Sequence, residues 1–477
     1  MHMFANIFDL VLRLYADILI GASGTHSARL NSDAQQIALQ RRIGRPCHML
    51  NIALVSEHAS PLAVAGGIDS GGQNIYVAQV AKQLARAGCH VDVFTRRDSN
   101  ELSETFDWIP NVRVKHVRAG PCVKLPKEQL LPHMDEFADR MTTMLMNTRQ
   151  PCDLIHANFF MSAWASLRPA RLLNVPLVTT FHALGLVRRA HQRDADAFPD
   201  RRFDLEREAI EGSDSIIAEC AQDRIDLISL YNAEPERIHV VPCGFDPAEM
   251  TPMDQADARK LLGWPDHFTV LQLGRLVPRK GIDNVIHAIA HLRTQHKVLA
   301  ELHVVGGDTR YPDPVATPEI GRLSKLTRDL GIESQVHFVG RRDRSELCLY
   351  YNAADVFVTT PWYEPFGITP LEAMACACPV IGSAVGGIRT TVLDGKTGYL
   401  VPPKNPTALA ERLDAMFRNP AQRKAFGRAG GRRALRTFTW THVMRGLMRV
   451  YVDLLRSPVT LPTAAYATAA SSDLLSL

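Results

Sequence analysis

Two carboxylates, Glu364 and Glu372, flank a short segment that leads from a loop into a helix. Thr369 is a favoured N-cap residue and Pro370 suits the first helical position, which predicts that Glu372 is the third helical residue. Glu364 would then project from the loop beside the helix N-terminus, where backbone N–H groups attract anions. Because carboxylates accept hydrogen bonds from hydroxyls and amides bind oxyanions, this segment predicts a site for a polyhydroxylated, phosphorylated ligand.

The two glutamates differ in how well a local role explains them. Thr369 and Glu372 have the spacing of a capping box, which is an alternative explanation for Glu372. Glu364 stands in the segment Trp-Tyr-Glu-Pro-Phe-Gly, where the sequence shows no local partner for it. Glu364 is therefore the stronger candidate for ligand binding.

Arg275 and Lys280 lie in a loop directly after an apolar segment that is typical of a buried strand. Loops at such positions bind ligands in open α/β sheets. One guanidinium, which can chelate, and one ammonium, which acts as a point charge, suit a diphosphate. The alternative is a solvated loop, since Arg279 lies between the two cations.

Gly71 and Gly72 follow another apolar strand and precede a helical pattern. Bare glycine amides at a helix N-terminus predict contact with a phosphate, and a simple turn is the alternative. The sequence contains neither the dinucleotide fingerprint G-x-G-x-x-G nor a Walker A motif.

His182 ends an apolar strand on the side where ligands bind, although a buried structural histidine is the alternative. The D-x-D pattern of Asp194 and Asp196 resembles the divalent-metal motif of some sugar-nucleotide enzymes. No strand precedes it and so short a pattern arises by chance, so we predict no metal site there.

Strand-like and helix-like segments alternate in two series, which predicts an α/β protein with two Rossmann-like domains facing across a cleft. We place the first domain at residues 47–245 and the second at 246–437, with a helix at 438–455 that crosses back to the first. The predicted strands are 51–56, 91–95, 112–117, 153–156, 177–180, 215–218 and 238–241, followed by 268–273, 301–305, 336–339, 356–359, 379–381 and 399–401.

The composition excludes several classes of protein. The 477 residues carry a net charge of +4, with 46% hydrophobic and 22% charged residues, and no long basic run indicates nucleic-acid binding. The nine cysteines lack zinc-ligand spacing, which favours reduced thiols and a cytoplasmic protein.

The two ends of the chain are expected to lie outside the domains. Residues 1–22 are apolar at helical spacing but are interrupted by charges, which predicts a helical arm or, alternatively, a peripheral membrane contact. Residues 1–46 together are interpreted as an arm and linker, and the Ala/Ser/Thr-rich residues 456–477 as a disordered tail. The oligomeric state is not predicted.

Together these motifs resemble the retaining glycosyltransferases of the GT-B fold, family four, over about residues 50–455. That family includes sucrose-phosphate synthase and an enzyme that glycosylates inositol phosphate. The matching elements, in chain order, are Gly71-Gly72-Gln-Asn-Ile-Tyr-Val77, Thr180-Phe-His182, Gly274-Arg275 with Lys280, Ala354-Asp355, Glu364-Pro-Phe-Gly with Glu372, Gly386-Gly387, and Asp394-Gly-x-Thr-Gly398.

The resemblance implies roles for these positions without a cofactor or a catalytic metal. Arg275 and Lys280 would bind the donor diphosphate, Glu372 the ribose, and Glu364 the donor sugar. His182 would lie beside the reacting carbon, and attack would occur from the front face. The implied donor-binding residues are Gly71, Gly72, Arg275, Lys280, Gly340, Glu364, Phe366, Gly367, Ile368 and Glu372, and the implied catalytic residues are His182, Arg275, Lys280 and Glu364.

The acceptor side matches the family less closely. Lys127, together with Arg201 or Arg202, occupies a position comparable to that of the basic residues with which the inositol-phosphate enzyme binds its acceptor phosphate. Asn158 is a further candidate for acceptor binding. It stands where those relatives carry the second histidine of His-x-His, so the acceptor stays open. The resemblance implies hexosyl transfer from a nucleotide sugar, UDP-glucose for preference, to a small, phosphorylated sugar or polyol. The alternatives are a lipid-linked or polysaccharide acceptor, a non-catalytic sugar-nucleotide-binding protein, or a GT-B epimerase or phosphorylase.

Overall fold

The structure, a computed structural model, describes residues 50–63 and 71–456. The predicted arm at 1–46, with its membrane contact at 1–22, lies outside these residues. So does the predicted tail at 456–477, apart from Arg456, which is the last residue of a helix. The described residues form two α/β domains, each built on a mainly parallel sheet, which confirms the predicted fold class. None of the helices in the described ranges is long and apolar enough to cross a membrane.

The first sheet has eight strands in the order β3-β4-β2-β1-β5-β6-β7-β8, and each neighbouring pair is parallel except β3 with β4. Its strands are β1 (Asn51–Val55), β2 (His90–Arg96), β3 (Thr105–Ile109), β4 (Val112–Val117), β5 (Leu154–Asn158), β6 (Leu177–Thr180), β7 (Ser215–Ala218) and β8 (Ile238–Val240). Its helices are α1 (Gly72–Arg86), α2 (Met134–Met146), α3 (Phe160–Leu173), α4 (Gly185–Gln192), α5 (Arg201–Gly212) and α6 (Ala221–Tyr231).

The second sheet has six parallel strands in the order β11-β10-β9-β12-β13-β14. Its strands are β9 (Thr269–Leu273), β10 (Glu301–Val305), β11 (Val336–Gly340), β12 (Val356–Thr359), β13 (Val380–Ser383) and β14 (Gly398–Val401). The helices from here on are α7 (Gln255–Leu262), α8 (Ile282–Gln295), α9 (Pro318–Asp329), α10 (Arg344–Ala353), α11 (Ile368–Ala375), α12 (Ile388–Thr391), α13 (Pro406–Arg418), α14 (Pro420–Thr437) and α15 (Trp440–Arg456).

The central strands form because each is a short apolar run that helices cover on both faces. All five residues of β1 and of β9 are buried. Such continuous burial is typical of parallel sheets, whose crossover helices lie on both sides. The carboxyl ends of the strands therefore form the edge at which loops carry polar side chains toward a ligand.

The last helix, α15, crosses back to the first domain, as predicted. Tyr451 Oη lies 2.6 Å from His156 Nδ1 on β5, and the Trp440 ring lies 5.9 Å from the ring of Tyr76 on α1. Burial lowers the pKa of His156 to about 3, so this imidazole is neutral at physiological pH. His156 is therefore an anchor for α15.

Candidate active site

The candidate site lies where the carboxyl ends of the two sheets face each other. A Cβ atom added to Gly72, at the start of α1, would lie 3.4 Å from Ile368 Cδ1, at the start of α11. On the same side, Gln192 on α4 donates a hydrogen bond to the Tyr363 hydroxyl, and the His191 ring stacks on Tyr363 at 5.0 Å. The N-termini of two helices, one from each domain, thus meet across a narrow cleft.

Glu364 is surrounded by cations in this cleft. Lys280 donates a hydrogen bond to Glu364 Oε2, and the Arg279 guanidinium lies 3.8 Å from the same oxygen. Arg275 is within electrostatic reach of both Glu364 and Lys280. Glu364 has no local partner, as predicted; its partners are distant in sequence, and the loops after the adjacent strands β9 and β12 bring these side chains together.

Two glycines allow these loops to pack so closely. Gly281 has φ +67°, and a Cβ there would lie 2.1 Å from the carbonyl oxygen of Thr360, directly after β12. Gly386 has φ +41°, and its Cβ would lie 1.9 Å from the carbonyl oxygen of Glu364. Any side chain at either position would push the Lys280 loop or the Glu364 loop out of place.

The charges of this cluster keep Glu364 ionised. Burial raises the pKa of Glu364, but Lys280 and Arg279 outweigh it and hold that pKa below its usual value. Burial also lowers the pKa of Lys280, although Glu364 opposes this change. Three basic side chains, Arg275, Arg279 and Lys280, therefore lie around one carboxylate, and a group of cations of this kind suits a diphosphate.

Glu372 occupies a different position from the one predicted. The helix α11 begins after Gly367, so Glu372 is its fifth residue and Thr369 is not its N-cap. Glu372 is 2% exposed and accepts hydrogen bonds from Arg344 Nη1 at 2.7 Å and Tyr351 Oη at 3.0 Å. The capping-box explanation is thus excluded, and Glu372 belongs to a buried polar network beneath the cleft.

The other residues predicted to bind the donor differ in how they are placed at this edge of the sheets. Gly71 is the N-cap of α1, and Gly367 and Ile368 form the start of α11, so their backbone lies at helix N-termini. Gly340 ends β11, at the outer side of the second sheet. The Phe366 side chain is 2% exposed and packs against Phe438, so that side chain belongs to the core.

His182 lies on the opposite wall of the cleft, directly after β6. Its backbone has φ +57°, a conformation that non-glycine residues rarely adopt outside constrained sites. Its Nε2 lies 3.0 Å from Asn158 Oδ1, and its Nδ1 lies 3.1 Å from Glu219 Oε1. Both ring nitrogens therefore have a polar partner, which fixes the orientation of the ring.

Glu219, which follows β7, is a site residue that the sequence analysis missed. Burial raises the pKa of Glu219, but the His182 charge and hydrogen bonds from His182 and Cys243 outweigh it and leave that pKa below its usual value. Glu219 also lies within electrostatic reach of Glu364. It is therefore a positioning residue for His182, and its place after a strand, like that of His182, is the signal that could have found it.

The Glu219 carboxylate should stabilise the folded protein in a pH-dependent way. Its folded-state pKa is lowered, so its contribution is present above the ordinary pKa of a glutamate and is lost as pH falls through the folded-state value. We expect Glu219→Gln to lower the free energy of unfolding by about 1.5–3 kcal/mol at pH 7, the range for a hydrogen bond to a charged group. Chemical denaturation at pH 7 and in mild acid measures this difference, which should shrink in acid. A difference that is equal at both pH values would contradict the pairing.

Two residues predicted to bind the acceptor are structural. Arg202 is 0% exposed, and its guanidinium pairs with Glu206 at 2.8 Å and donates to the carbonyl of Ala183 at 2.7 Å. Asn158 is also fully buried, and its amide nitrogen donates to the carbonyls of Val55 and His156. Both side chains are therefore engaged inside the first domain, and neither is exposed for contact with an acceptor.

The remaining predicted acceptor residues lie nearer the surface. Arg201 is exposed at the start of α5. Lys127 Nζ lies 3.5 Å from Glu128, which also lies 3.3 Å from Arg188 on α4. Arg188 in turn pairs with Asp196 at 2.8 Å, which gives this aspartate of the D-x-D pattern an ion-pair role. Lys127 and Arg188 thus bracket one carboxylate beside the first domain's half of the cleft.

Comparison with known proteins identifies the family of both halves of the chain. Residues 70–249 match the family described as Glycosyltransferase Family 4, and residues 254–433 match the family described as Glycosyl transferases group 1. The D-inositol 3-phosphate glycosyltransferase of Acidothermus cellulolyticus is 35% identical over 431 residues, which are 89% of this chain and 95% of the relative. The corresponding enzyme of Kineococcus radiotolerans is 36% identical over 426 residues, 85% of this chain and 96% of the relative.

Solved structures agree with this grouping. A sucrose-phosphate synthase from Thermosynechococcus elongatus is 33% identical and superimposes with a TM-score of 0.78 over 85% of this chain and 99% of that one. Anabaena HepE, solved in complex with UDP-glucose, shares the fold with a TM-score of 0.66 at 20% identity, over 85% of this chain and 100% of that one. With both domains matched along nearly their whole length, the chain belongs to the family-four, group 1 glycosyltransferases of the GT-B fold.

Proposed function

We propose that this glycosyltransferase moves a hexosyl group from UDP-glucose to a hydroxyl of a small, phosphorylated sugar or polyol, with retention of configuration and without a metal ion. The cluster around Glu364 carries the proposal. Its basic side chains suit a nucleoside diphosphate, and its ionised carboxylate suits sugar hydroxyls. In the relatives the nucleotide sugar of HepE is UDP-glucose, which makes that donor the first to test.

Arg275, Arg279 and Lys280 would stabilise the negative charge that develops on the leaving diphosphate. The amides at the start of α11 would add their dipole, since a helix N-terminus favours an anion. Preorganised cations and amides of this kind supply the electrostatic stabilisation for which other transferases use a metal ion. This is why we propose metal-independent transfer.

Glu364 would accept hydrogen bonds from the donor sugar and would not transfer a proton. Its lowered pKa keeps it ionised at neutral pH, which makes it a hydrogen-bond acceptor and a poor general acid. In the proposed front-face reaction, the bond from the anomeric carbon to the leaving phosphate oxygen breaks while the acceptor oxygen bonds to the same face. The acceptor proton passes to the leaving phosphate oxygen, so no pair of catalytic carboxylates is required.

The other residues would surround this reaction from both domains. His182 would lie beside the donor sugar, held by Glu219 and Asn158. Gly72 would let α1 approach the diphosphate. The family resemblance would give Glu372 the ribose hydroxyls, although its carboxylate lies buried beneath the cleft and already accepts hydrogen bonds from Arg344 and Tyr351. Neither wall of the cleft holds the complete set, so domain closure is part of the proposed cycle.

The acceptor part of the proposal rests on the relatives and on one cluster of cations. The relatives named D-inositol 3-phosphate glycosyltransferase make that compound the first acceptor to test. Lys127 and Arg188, which lie on either side of Glu128, would hold its phosphate. A lipid-linked or polysaccharide acceptor is the second candidate, because Asn158 and Arg202 are buried and not exposed for contact with a small phosphorylated acceptor.

A screen of donors against acceptors tests the proposal. Purified protein is incubated with UDP-, ADP- and GDP-hexoses and a panel of free, phosphorylated, lipid-linked and polymeric acceptors, and products are read by mass spectrometry. We expect a hexosyl product from UDP-glucose and a phosphorylated polyol. Nucleotide binding without any product across the panel would support a binding protein instead, and consumption of free phosphate would identify a phosphorylase.

Lys127→Ala should separate acceptor binding from chemistry. Removing one cation from a phosphate site should raise KM for the phosphorylated acceptor about 10-fold, a loss near 1.4 kcal/mol, with little change in kcat. The matched control is the unphosphorylated polyol, whose KM should not respond to the substitution. Equal effects on both acceptors would place the phosphate elsewhere.

A further inference from the structure

A group of metal-ligand side chains lies on the second sheet, outside the cleft. Glu301 and His303 are two residues apart on β10 and therefore lie on the same face of the sheet. His337 on β11 lies directly opposite His303 in the strand register. The carboxylate and imidazole ligand atoms of the three residues all lie within 4.8 Å of one another. The parallel pairing of two strands thus fixes the three Cα positions on which a site would depend.

The ligand atoms converge without being hydrogen-bonded to each other. His303 Nε2 lies 3.6 Å and His337 Nε2 lies 3.8 Å from Glu301 Oε2, which is too long for a hydrogen bond. Neither Nε2 atom has a hydrogen-bond partner among the described residues, although both atoms are buried. The His303 side chain is 8% exposed, and a buried polar atom without a partner is costly.

Neighbouring side chains hold these three residues in place, and the group is accessible to solvent. His267 Nδ1 lies 2.7 Å from Glu301 Oε1, so it orients the carboxylate through its second oxygen. The Trp264 ring stacks on His303 at 3.8 Å, and the His303 and His337 rings stack at 4.7 Å. The His337 side chain is 42% exposed, which gives solvent access to the group.

We propose that Glu301, His303 and His337 form a binding site for a divalent transition-metal ion of the zinc class, with His267 as the group that orients Glu301. Imidazole nitrogen with one carboxylate oxygen is a ligand set that zinc accepts. Two ligands of a tetrahedral zinc ion are about 3.3–3.4 Å apart. The 3.6 and 3.8 Å separations from Glu301 exceed this value by a few tenths of an ångström, and all three ligand atoms lie within 4.8 Å of one another, so the side chains would rotate on binding.

This site is separate from the proposed active site. Glu301 is the first residue of β10 and His337 the second residue of β11, whereas the donor cluster lies beyond the carboxyl ends of the parallel strands. The length of β10 separates the two edges by about 13 Å. The ion would tie the edge strand β11 to β10 and stabilise the folded domain, without taking part in transfer.

Zinc titration of untagged full-length protein tests the site. We expect one equivalent of Zn²⁺ to bind by calorimetry. At free zinc 100-fold above Kd, the unfolding midpoint should rise by about 5–10 °C. Glu301→Gln and His337→Gln should each weaken zinc binding at least about 100-fold, and His267→Gln about 10- to 100-fold. Because His337 is partly exposed, its variant should fold like the parent protein.

Two controls exclude other zinc ligands. Cys348 Sγ lies 3.8 Å from Cys376 Sγ, and a pair of thiols also binds zinc. The Cys348→Ser variant must therefore still bind one equivalent of Zn²⁺. His296, which pairs with Asp414 at 3.4 Å, is a histidine outside the group, and His296→Gln must behave like the parent. The proposal is overturned if the parent protein binds no zinc at micromolar concentrations, if His337→Gln binds it equally well, or if Cys348→Ser abolishes binding.

Discussion

Glu364→Ala is expected to lower the rate of hexosyl transfer by about 10²–10³-fold, the usual effect of removing one preorganised polar group from a reaction centre. The substitution removes the carboxylate proposed to hold the donor sugar, so the anomeric carbon is no longer fixed for attack. Binding of UDP should remain within a few-fold of the parent, because Lys280, Arg279 and Arg275 stay in place and lose only their counter-charge. Steady-state kinetics and calorimetric titration of UDP measure the two quantities.

The conservative variant Glu364→Gln separates the loss of the negative charge from the loss of the whole side chain. It keeps one carbonyl oxygen for a sugar hydroxyl but leaves the buried ammonium of Lys280 without its ionic partner. It should therefore recover part of the activity that Glu364→Ala loses. Full turnover by the alanine variant would exclude Glu364 as the residue that positions the sugar.

Arg202→Ala is expected to destabilise the first domain by about 3–5 kcal/mol, since it leaves a buried carboxylate uncompensated. Glu206 accepts hydrogen bonds from Arg202, from the Gly185 amide and from the Tyr231 hydroxyl, all in a buried environment. The Arg202 guanidinium also lies against three phenylalanine rings, at 4.6 to 5.3 Å from their centres: Phe159, Phe160 and Phe198. Chemical denaturation followed by fluorescence measures the change.

Arg201→Ala is the matched control, because Arg201 is the neighbouring arginine and is exposed. Its free energy of unfolding should equal that of the parent within error. If Arg202→Ala were as stable as the parent and lost acceptor affinity instead, Arg202 would be an acceptor ligand and its buried placement would be incorrect.

The sequence predicted the architecture well because each central strand is a compact apolar run. Strands β4, β6, β7, β10 and β12 have the predicted bounds. The edge strand β3 was missed, since Thr105–Ile109 is half-exposed and lacks such a run. Placing polar side chains at strand ends also located His182, Arg275 and Lys280 correctly along the cleft edge, because that rule depends only on strand direction.

Local signals failed where distant contacts decide. Thr369 and Pro370 indicate a helix start, but Gly367 allows a turn that begins α11 two residues earlier. Arg202 and Asn158 have the residue types of ligand contacts, and only the tertiary packing shows that both are buried. The partner of Glu364 lies on another loop, so no window of sequence around Glu364 could reveal Lys280.

Glu219 was within reach of the same reasoning, whereas the proposed metal site was not. Glu219 follows a buried strand as His182 does, and applying the strand-end rule to β7 would have identified it. The alternation of Glu301 and His303, with His337 on the next strand, has the spacing of ligands on one face. Their convergence depends on strand register, which the sequence does not specify.

The most direct test of the proposed activity is proton NMR of the transfer reaction from UDP-glucose to D-inositol 3-phosphate in the presence of a chelator. We predict that UDP and a glucoside form at equal rates and that the new linkage is α, as in the donor. A β-linked product would contradict front-face transfer, and loss of the reaction on chelation would contradict the proposal that cations of the Lys280 loop replace a metal ion. UDP release without any glucoside would contradict transfer to this acceptor.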